Sequence, residues 1–586
     1  MKKRFQSGWS LSLSTQLGIA WVIVIALILF YAVWMCDQSI LRYVTFKATA
    51  FDLGNMDQAT WNTLHGRPFQ FTNQGSNWYG PPIRLAQHVE PIFFLLSLLY
   101  VFHADPRILL VFQSLLLALG ALPVFLLTRK ALPTLPLLAP VISAGYLFAP
   151  ALIGENMYDF HPVALATPFF LFAILFLTYR CYVWFVVFCI LAASTKEEMP
   201  FVVGLMGLLV AWKYRLPRLG IALFICGAIW SAVAFLVIIP HFDVGATQNT
   251  FWYRYASLGK TPQQALVNVL LHPWLLAPYI FTLDRLYYLF SLVRSTGFLA
   301  LLAPEWLLPT LPSLAINLLT DQPYQHSGVY QYNAAIISFV VIAAIQGLRR
   351  LCWLWYGWRG EYKEQELYRE AVALNNHRFS AGKPLPGMAI ARFRLVRIFA
   401  WIASGWRALS AFPVRRALLA GWGRLRTRAR LAGRRLAALA QMIPVGWLQW
   451  LVSVFLVGMI ILNYMIMMPW LNIFWADAQP DARDQHIQQL LNMIPADASV
   501  SAGGNLNPHL TERRYITVFP QLTVKAYGDK SAQTVEYVIV DLDDVSPEDK
   551  TQSAHFLAVL NQIEYSGQFV PVAQAEGVLL LKRAKP

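Results

Sequence analysis

Long apolar runs alternate with short polar segments along most of this 586-residue chain. An α-helix rises 1.5 Å per residue, so about 20 apolar residues cover a hydrocarbon core of about 30 Å. By this measure the pattern predicts about eleven transmembrane helices, the first of which is not cleaved. They lie near residues 15–36, 107–128, 132–153, 161–179, 181–195, 199–213, 219–240, 263–282, 286–303, 330–348 and 446–470.

Two further apolar stretches are predicted not to cross. Residues 87–103 contain an apolar stretch of about 14 residues, which spans only about 21 Å as a helix. Residues 304–319 are interrupted by three prolines, which break the helical hydrogen-bond pattern. Both are interpreted as re-entrant or interfacial segments on the same face of the membrane.

Basic residues predict the orientation of the spans, because lysine and arginine concentrate on the cytoplasmic side. Eleven spans with a cytoplasmic amino terminus place Arg129, Arg180, Lys213, Arg285 and Arg350 inside. The polar clusters then fall on the outer face, at residues 51–90, 155–161, 196–198, 241–264 and 321–332.

The composition agrees with a membrane protein: 57% of residues are hydrophobic, 13% are charged, and the mean hydropathy is +0.47. The net charge of +16 is concentrated in one place, since residues 347–447 hold nineteen Lys or Arg and four Glu. A basic block beside membrane spans indicates anionic lipids of the inner leaflet as its partner, and not nucleic acid.

Four regions follow from these patterns. Residues 1–348 form a transmembrane module with a large first external loop at 37–106, and 349–445 form a basic cytosolic insertion with amphipathic helices. The last span, 446–470, leads to an extracytoplasmic α/β domain at 477–586, where helical patterns flank a buried strand at 537–540.

Familiar catalytic and metal-binding motifs are missing from the sequence. The five cysteines lie in or beside apolar segments without a CxxC pair, and there is no phosphate-binding glycine loop, GxSxG or HExxH. The acidic run 541–544 is interpreted as a turn after a strand. Any chemistry must therefore come from side chains that the fold brings together.

Two carboxylates in the first external loop, Asp52 and Asp57, are the candidate catalytic residues. They are five positions apart, so they do not share one helical face and either could point into a cavity. A carboxylate in such a loop is more often solvated or a helix cap. A functional role for these carboxylates is supported by other ionisable groups on the same face, because burying such groups beside lipid is costly without a partner or a water-filled cavity.

The candidate substrate-binding residues lie at helix ends on the predicted outer face. Plainer interpretations exist for several: a mutual Lys196–Glu197 ion pair, a His161–Asp159 hydrogen bond, and tyrosines of the interfacial belt. The complete set is His88, Glu90, Asp159, His161, Lys196, Glu197, Arg254, His326, Tyr330 and Tyr332.

A family resemblance rests on the order of short motifs. These are FDLG at 51–54, DQ at 57–58, WN at 61–62, DFHP at 159–162, KEE at 196–198 and LPSLAINLL at 311–319. Together they resemble a bacterial polytopic membrane family of unknown function, which is itself similar to the GT-C membrane glycosyltransferases. The resemblance implies a GT-C-like, all-α polytopic fold in the bacterial plasma membrane.

The same resemblance implies sugar transfer from a polyprenyl-phosphate-linked donor, with an acidic residue of the first external loop as catalytic base. By position that residue is Asp52, with Asp57 as second choice. Lys196, Arg84 and Arg254 are cations suited to a lipid phosphate. Glu90 departs from the family pattern, which has a small polar residue there, and the 349–445 insertion is longer than typical.

The cofactor stays open. Asp52, Asp57, His88 and Glu90 are side chains of types that bind Mg²⁺ or Mn²⁺, but their spacing specifies no metal site.

Two other functions are also compatible with the sequence. In a transporter the same charges would line a substrate path, although their collection on one face argues against alternating access. In a non-catalytic subunit, the basic insertion and the external domain would dock other membrane proteins.

Overall fold

The computed structural model describes the helical bundle and the carboxyl-terminal domain. The described residues are 12–73, 80–243, 251–361, 447–475, 479–544 and 550–584. Almost all of the predicted 349–445 insertion, including its amphipathic helices, lies outside them.

The bundle is built from α-helices joined by short turns and single turns of 3₁₀ or π helix. Its helices are α1 Leu13–Val44, α2 Asn55–Leu64, α3 Phe93–Leu96, α4 Pro106–Leu119, α5 Ala121–Ala131, α6 Leu138–Leu147, α7 Pro150–Met157, α8 Ala166–Thr178, α9 Tyr182–Ala193, α10 Met199–Lys213, α11 Pro217–Val233, α12 Ile239–Phe242, α13 Pro262–Leu271, α14 Ala277–Ile280, α15 Leu283–Arg294, α16 Leu311–Leu318, α17 Ala334–Trp358 and α18 Trp447–Leu471.

Among the described residues, five helical segments are long and apolar enough to cross a membrane, and a bent pair makes a sixth. The bend of 44° between α6 and α7 occurs at Pro150, whose ring disfavours a helical conformation in Ala149. The predicted total of eleven spans remains a prediction. The five are Leu13–Val44, Pro106–Ala131, Pro217–Phe242, Gln331–Trp358 and Trp447–Phe474.

The predicted span at 263–282 is wrong, because this segment does not run through the bundle. It forms the short helices α13 and α14, with a break at Pro273. Its two flanks meet at one place: the Asp321 amide donates to the Arg254 carbonyl at 2.7 Å, and Arg285 Nη2 donates to the Thr320 carbonyl at 2.7 Å. The segment therefore leaves and returns at one end of the bundle.

Residues 304–319, predicted to be re-entrant or interfacial, instead run along most of the length of α17. Glu305 forms an ion pair with Arg350 near the end of that helix. Asn317 Nδ2 donates to the Tyr332 carbonyl, at its start, at 3.0 Å. The 18 residues between these positions correspond to about 27 Å of helix. Three prolines produced the wrong expectation, because they break the helical pattern without turning the chain back.

These two corrections move Arg285 to the end of the bundle opposite Arg350, although the basic-residue pattern placed both inside. We predict that a Leu283→Cys variant, in a background without the native cysteines, is labelled by a membrane-impermeant maleimide from outside intact spheroplasts. Leu283 is 87% exposed. Arg218→Cys serves as the inside control. Labelling of the Leu283→Cys variant only in inverted vesicles would instead support the cytoplasmic position that the basic-residue pattern predicted for Arg285.

The segment 87–103 agrees with the interpretation that it does not cross. Its short helix α3 follows a turn in which the Ile92 amide donates to the Ser194 carbonyl at 3.0 Å, and the Tyr100 hydroxyl reaches Asp57 in α2. The segment thus packs against α2 and the end of α9.

The carboxyl-terminal region is a small α/β domain, as predicted. Its main sheet has the order β2–β1–β5–β7–β6, with β2, β1 and β5 parallel and β7 antiparallel to both neighbours. A two-stranded ribbon, β3–β4, lies beside it. The elements are α19 Ala482–Asn492, β1 Val500–Ala502, β2 Ile516–Val518, β3 Thr523–Val524, β4 Gln533–Thr534, β5 Tyr537–Asp541, α20 Lys550–Tyr565, β6 Phe569–Ala575 and β7 Val578–Arg583.

This domain binds the first loop of the bundle through buried polar contacts. Gln58 Nε2 donates to the Arg513 carbonyl at 2.9 Å, Thr72 Oγ1 to the Ile516 carbonyl at 2.8 Å, and Asn507 Nδ2 to Asn73 Oδ1 at 2.7 Å. Because these groups are buried, separating the two surfaces would leave them without partners, which holds the domain against the loop.

Candidate functional site

Asp52 lies in a single π-helical turn, Ala50–Gly54, that connects α1 to α2. Its carboxylate accepts three hydrogen bonds, from Thr49 Oγ1 at 3.0 Å, Tyr158 Oη at 2.9 Å and His161 Nε2 at 3.1 Å. Its side chain is nevertheless 22% exposed. The turn therefore presents a carboxylate that is fixed in orientation and open on one side.

His161 has an oxygen facing each of its ring nitrogens. Nδ1 lies 3.0 Å from the Tyr158 carbonyl, while Nε2 lies 3.1 Å from Asp52. Only an imidazolium donates from both nitrogens at once, so the geometry suits a positively charged His161 against an ionised Asp52. The Tyr158 ring stacks on the imidazole at 5.4 Å between ring centroids.

The pKa of Asp52 reflects two opposing influences. Burial raises it, but the hydrogen bond and charge of His161, with the hydrogen bonds from Tyr158 and Thr49, outweigh burial and lower the pKa below its ordinary value. Asp52 is consequently an anion at neutral pH. It can accept a hydrogen bond from a neutral hydroxyl group that enters through its open side.

Asp159 plays a different part from the one expected. It accepts from the Thr49 amide at 2.9 Å and Thr49 Oγ1 at 3.1 Å, and Arg42 Nη2 lies 3.8 Å away. The alternative in which Asp159 binds His161 is therefore wrong, because the imidazole points to Asp52. Asp159 instead holds Thr49, which in turn contacts Asp52.

An aromatic wall extends from Asp52 towards two cations. Tyr330 packs edge-on against Tyr158 at 4.7 Å between centroids. The Tyr332 ring lies 6.0 Å from that of Tyr324, which the Arg254 guanidinium approaches at 5.8 Å, and Tyr332 lines a small pocket with Lys196. Of the predicted site residues, the fold thus brings Asp52, Asp159, His161, Tyr330, Tyr332, Lys196 and Arg254 together.

Arg254 sits among aromatic rings. Its guanidinium lies 4.4 Å from the centroid of Phe251, 5.7 Å from that of Tyr253 and 5.8 Å from that of Tyr324. No carboxylate within the described ranges lies within ion-pair distance of it. A cation held by rings, with none of those carboxylates to neutralise it, is suited to bind a phosphate.

Lys196 and its neighbours are paired differently from the expected Lys196–Glu197 ion pair. Lys196 Nζ lies 3.2 Å from Glu198, while Glu197 contacts His88 Nδ1 at 2.9 Å and the Val89 amide at 3.1 Å. Burial, and then the charge of Lys196, lower the pKa of His88 to about 3. His88 is therefore neutral and acts as a hydrogen-bond donor to Glu197.

Glu90, the residue that departs from the family pattern, has a basic partner within the same loop. Arg84 Nε and Nη2 lie 3.0 Å and 2.6 Å from Glu90 Oε2, and both side chains are buried. Arg84, predicted as a phosphate ligand, is occupied by this pair. The Arg84–Glu90 pair therefore stabilises the conformation of the loop that contains His88.

The remaining candidates lie apart from Asp52. Asp57 is completely buried and accepts from Tyr100 Oη and, at 2.6 Å, from Thr511 Oγ1 of the carboxyl-terminal domain. His326 Nε2 lies 2.8 Å from Asp284. Asp57 thus joins two parts of the fold, and His326 belongs to the end of α15.

A divalent metal does not fit the residues suggested for it. Asp57 is bonded to Tyr100 and Thr511, Glu90 to Arg84, and His88 to Glu197, so they do not converge with Asp52. Within the described ranges, no group of three or more His, Cys, Asp or Glu side chains is arranged to hold a metal ion.

Sequence reasoning missed several residues that shape the site. Thr49 and Tyr158 bind Asp52 directly, and Arg42 anchors the turn by donating to the Phe474 carbonyl at 3.0 Å and the Lys47 carbonyl at 2.9 Å. Tyr158 stands next to the DFHP motif, which was a usable signal. Nothing in the sequence linked Arg42 to residue 474.

Glu512 is expected to make the stability of the protein depend on pH where the carboxyl-terminal domain contacts the bundle. Burial and the nearby Asp105 carboxylate raise its pKa to about 7, and its Oε1 has no hydrogen-bond partner in the described part of the chain. A carboxyl whose pKa is raised in the folded state contributes stability that is lost as the pH rises through that pKa. We predict that wild-type protein loses thermal stability between about pH 5 and pH 8.

Glu512→Gln is expected to reduce that loss, because the amide stays neutral. Melting curves of the detergent-solubilised protein at a series of pH values measure the effect. Glu576→Gln is the control, since that carboxylate is exposed and lies 3.3 Å from an exposed histidine, His486. Equal pH dependence in Glu512→Gln and the wild type would contradict the assignment.

Comparisons with known proteins match one family model and several solved structures. A family model described as a predicted membrane protein (DUF2079) matches residues 42–362 and 418–580. Two crystal structures of ArnT from Cupriavidus metallidurans are similar, one bound to undecaprenyl phosphate and one in the apo state. The first has 12% identity and a TM-score of 0.45, covering 97% of each chain. The second has 13% identity and a TM-score of 0.44, covering 97% of this chain and 98% of that one. No curated protein matches.

Proposed function

We propose, on the premise that this chain belongs to the DUF2079 family of predicted membrane proteins, that it is a membrane glycosyltransferase. It transfers a sugar from a polyprenyl-phosphate-linked donor to an acceptor hydroxyl on the outer face of the plasma membrane. The observation that carries the proposal is the Asp52 carboxylate, which three donors hold in place while its side chain stays 22% exposed.

In this reaction the acceptor hydroxyl attacks the anomeric carbon of the donor sugar. A new carbon–oxygen bond forms, and the bond from that carbon to the phosphate oxygen breaks, leaving its electron pair on the phosphate. The hydroxyl proton passes to Asp52, which acts as general base. His161, Tyr158 and Thr49 orient the carboxylate, and an imidazolium at His161 stabilises its charge before transfer.

The leaving phosphate needs a cation near the reacting carbon. Arg254 supports this role because aromatic rings hold it and no described carboxylate pairs with it. Lys196, which lines a small pocket with Tyr332, is a second cation, partly neutralised by Glu198. The aromatic side chains of Tyr330 and Tyr332 would contact the sugar between phosphate and base.

A non-catalytic subunit of a larger membrane assembly is the alternative, and one observation favours it. Most polar candidates on this face already have partners: Arg84 forms an ion pair with Glu90, Lys196 forms one with Glu198, and neutral His88 is hydrogen-bonded to Glu197. Such pairing is typical of a structural surface. The open side of Asp52 and the environment of Arg254 are the features that this alternative does not explain.

Turnover of a donor lipid tests the proposal. The full-length protein in nanodiscs would be incubated with an unfractionated extract of bacterial envelopes, which supplies both glycosylated polyprenyl phosphates and acceptor hydroxyls, and lipids would be followed by mass spectrometry. The expected result is loss of one glycosylated lipid and a matching gain of free polyprenyl phosphate. Unchanged lipid pools, together with copurification of other subunits in fixed ratio, would favour the structural subunit.

A further inference from the structure

An open cavity of about 510 Å³ is lined by residues of the 251–282 segment together with Arg285 and Asp321. Leu258, Val269, Leu275 and Pro278 form the apolar part of its wall, and Ser257, Asn268 and Tyr279 contribute uncharged polar groups. Two groups of opposite charge, Arg285 and Asp321, complete its lining. The cavity is therefore amphiphilic, with one cation and one anion among apolar and uncharged polar residues.

The two charged groups are held as neighbours but do not pair with each other. Arg285 Nη2 donates to the carbonyl of Thr320, the residue before Asp321, at 2.7 Å. The Asp321 carboxylate is bound instead by Ser257, whose hydroxyl lies 2.5 Å from Oδ1. Arg285 Nε is buried without a hydrogen-bond partner in the described ranges. Each charge thus retains capacity for an outside partner.

The surface around the cavity is suited to lipid tails. Large apolar side chains of α13, α14 and the start of α15 are more than half exposed, and the segment does not enter the bundle. A helix that exposes such side chains at the end of a bundle of apolar helices lies at the membrane interface. They are Leu270, Leu271, Trp274, Phe281 and Leu283.

We propose that this cavity binds the headgroup of a zwitterionic membrane phospholipid of the phosphoethanolamine type. Arg285 and the Tyr279 hydroxyl bind the phosphate, and Asp321 binds the ammonium group. The acyl chains lie along the exposed apolar side chains of α13 and α14. A headgroup with one negative and one positive charge matches this lining, whereas an anionic glycerol headgroup leaves Asp321 facing a hydroxyl. The site does not depend on any transfer reaction.

Native mass spectrometry of the full-length protein tests the proposal. The protein would be released from nanodiscs that contain phosphatidylethanolamine and phosphatidylglycerol in equal amounts, with identical acyl chains. The wild type is expected to retain phosphatidylethanolamine preferentially. Arg285→Gln should lower that retention about tenfold, the size of effect given by one charge-assisted hydrogen bond. Equal retention of the two lipids by the wild type would overturn the proposal.

Two further variants separate binding from folding. Val269→Phe fills the cavity without removing a polar contact, and it should also abolish the preference. Asp321→Asn keeps an acceptor for Ser257 but removes the charge that binds the ammonium group, so both lipids should then be retained equally. Melting temperatures of all variants would be measured alongside. A preference that persists in Val269→Phe would show that the lipid binds elsewhere.

Discussion

Asp52→Asn is expected to lower the rate of sugar transfer by about 10²–10⁴-fold, the range associated with loss of a general base. The amide is nearly the same size as the carboxylate, and its oxygen still accepts from Tyr158 or Thr49. It cannot, however, take up a proton from the acceptor. The donor-lipid turnover assay in nanodiscs measures this change directly.

The matched control for this variant is Asp37→Asn. Asp37 is an exposed carboxylate in α1, and it accepts a hydrogen bond from the neighbouring Gln38 at 3.1 Å. Both variants should elute from size-exclusion chromatography as the wild type does, and melt within a few degrees of it. Full turnover in Asp52→Asn would remove Asp52 from the catalytic role.

Asp57→Leu is expected to destabilise the protein strongly. Burial, and then the charge of Glu512, raise the pKa of Asp57 well above its ordinary value, which favours a neutral carboxyl that bridges Tyr100 and Thr511. Leucine has a similar size but removes the acceptor for the Tyr100 hydroxyl and leaves Thr511 Oγ1 with only the Pro508 carbonyl among the described residues. Each buried polar group left unpaired costs about 1–3 kcal/mol. The melting temperature in detergent, and the protease resistance of the carboxyl-terminal domain, measure the effect.

Asp57→Asn is the informative companion. An amide oxygen can still accept from Tyr100 Oη, and the amide nitrogen can donate to Thr511 Oγ1, whose hydroxyl then donates to the Pro508 carbonyl instead of to residue 57. This variant should therefore keep most of its stability and its turnover. The two carboxylates of the first loop then behave in opposite ways: the Asn variant is inactive at position 52 and tolerated at position 57. Loss of turnover in a stable Asp57→Asn protein would contradict this division.

The candidate site was only partly accessible from the sequence. Asp52 and His161 were identified because each lies beside an apolar run, where an ionisable group needs a partner. Their direct contact joins residues 109 positions apart, and no local pattern specifies it. The partners of Lys196 and Glu197 were misassigned for a related reason: adjacent residues point in different directions, so sequence neighbours often bind more distant groups.

Asp57 and His326 illustrate a second difficulty. Both were grouped with Asp52 because they fall on the same predicted face. The fold instead buries Asp57 against Thr511, 454 residues away, and pairs His326 with Asp284. A face of a membrane protein is a wide surface, and sharing it does not bring side chains within contact distance.

The sequence by itself determined that this protein is a helical membrane protein with a small carboxyl-terminal α/β domain. Hydropathy and strand patterns are local properties, readable within windows of about 20 residues or fewer. The tertiary structure alone decided that 262–282 stays at one end of the bundle and that 304–318 traverses it. Prolines interrupt both segments, and the length of each is compatible with either path. The tertiary structure also decided which carboxylate remains open, because burial and hydrogen bonding at Asp52 and Asp57 depend on contacts between distant parts of the chain.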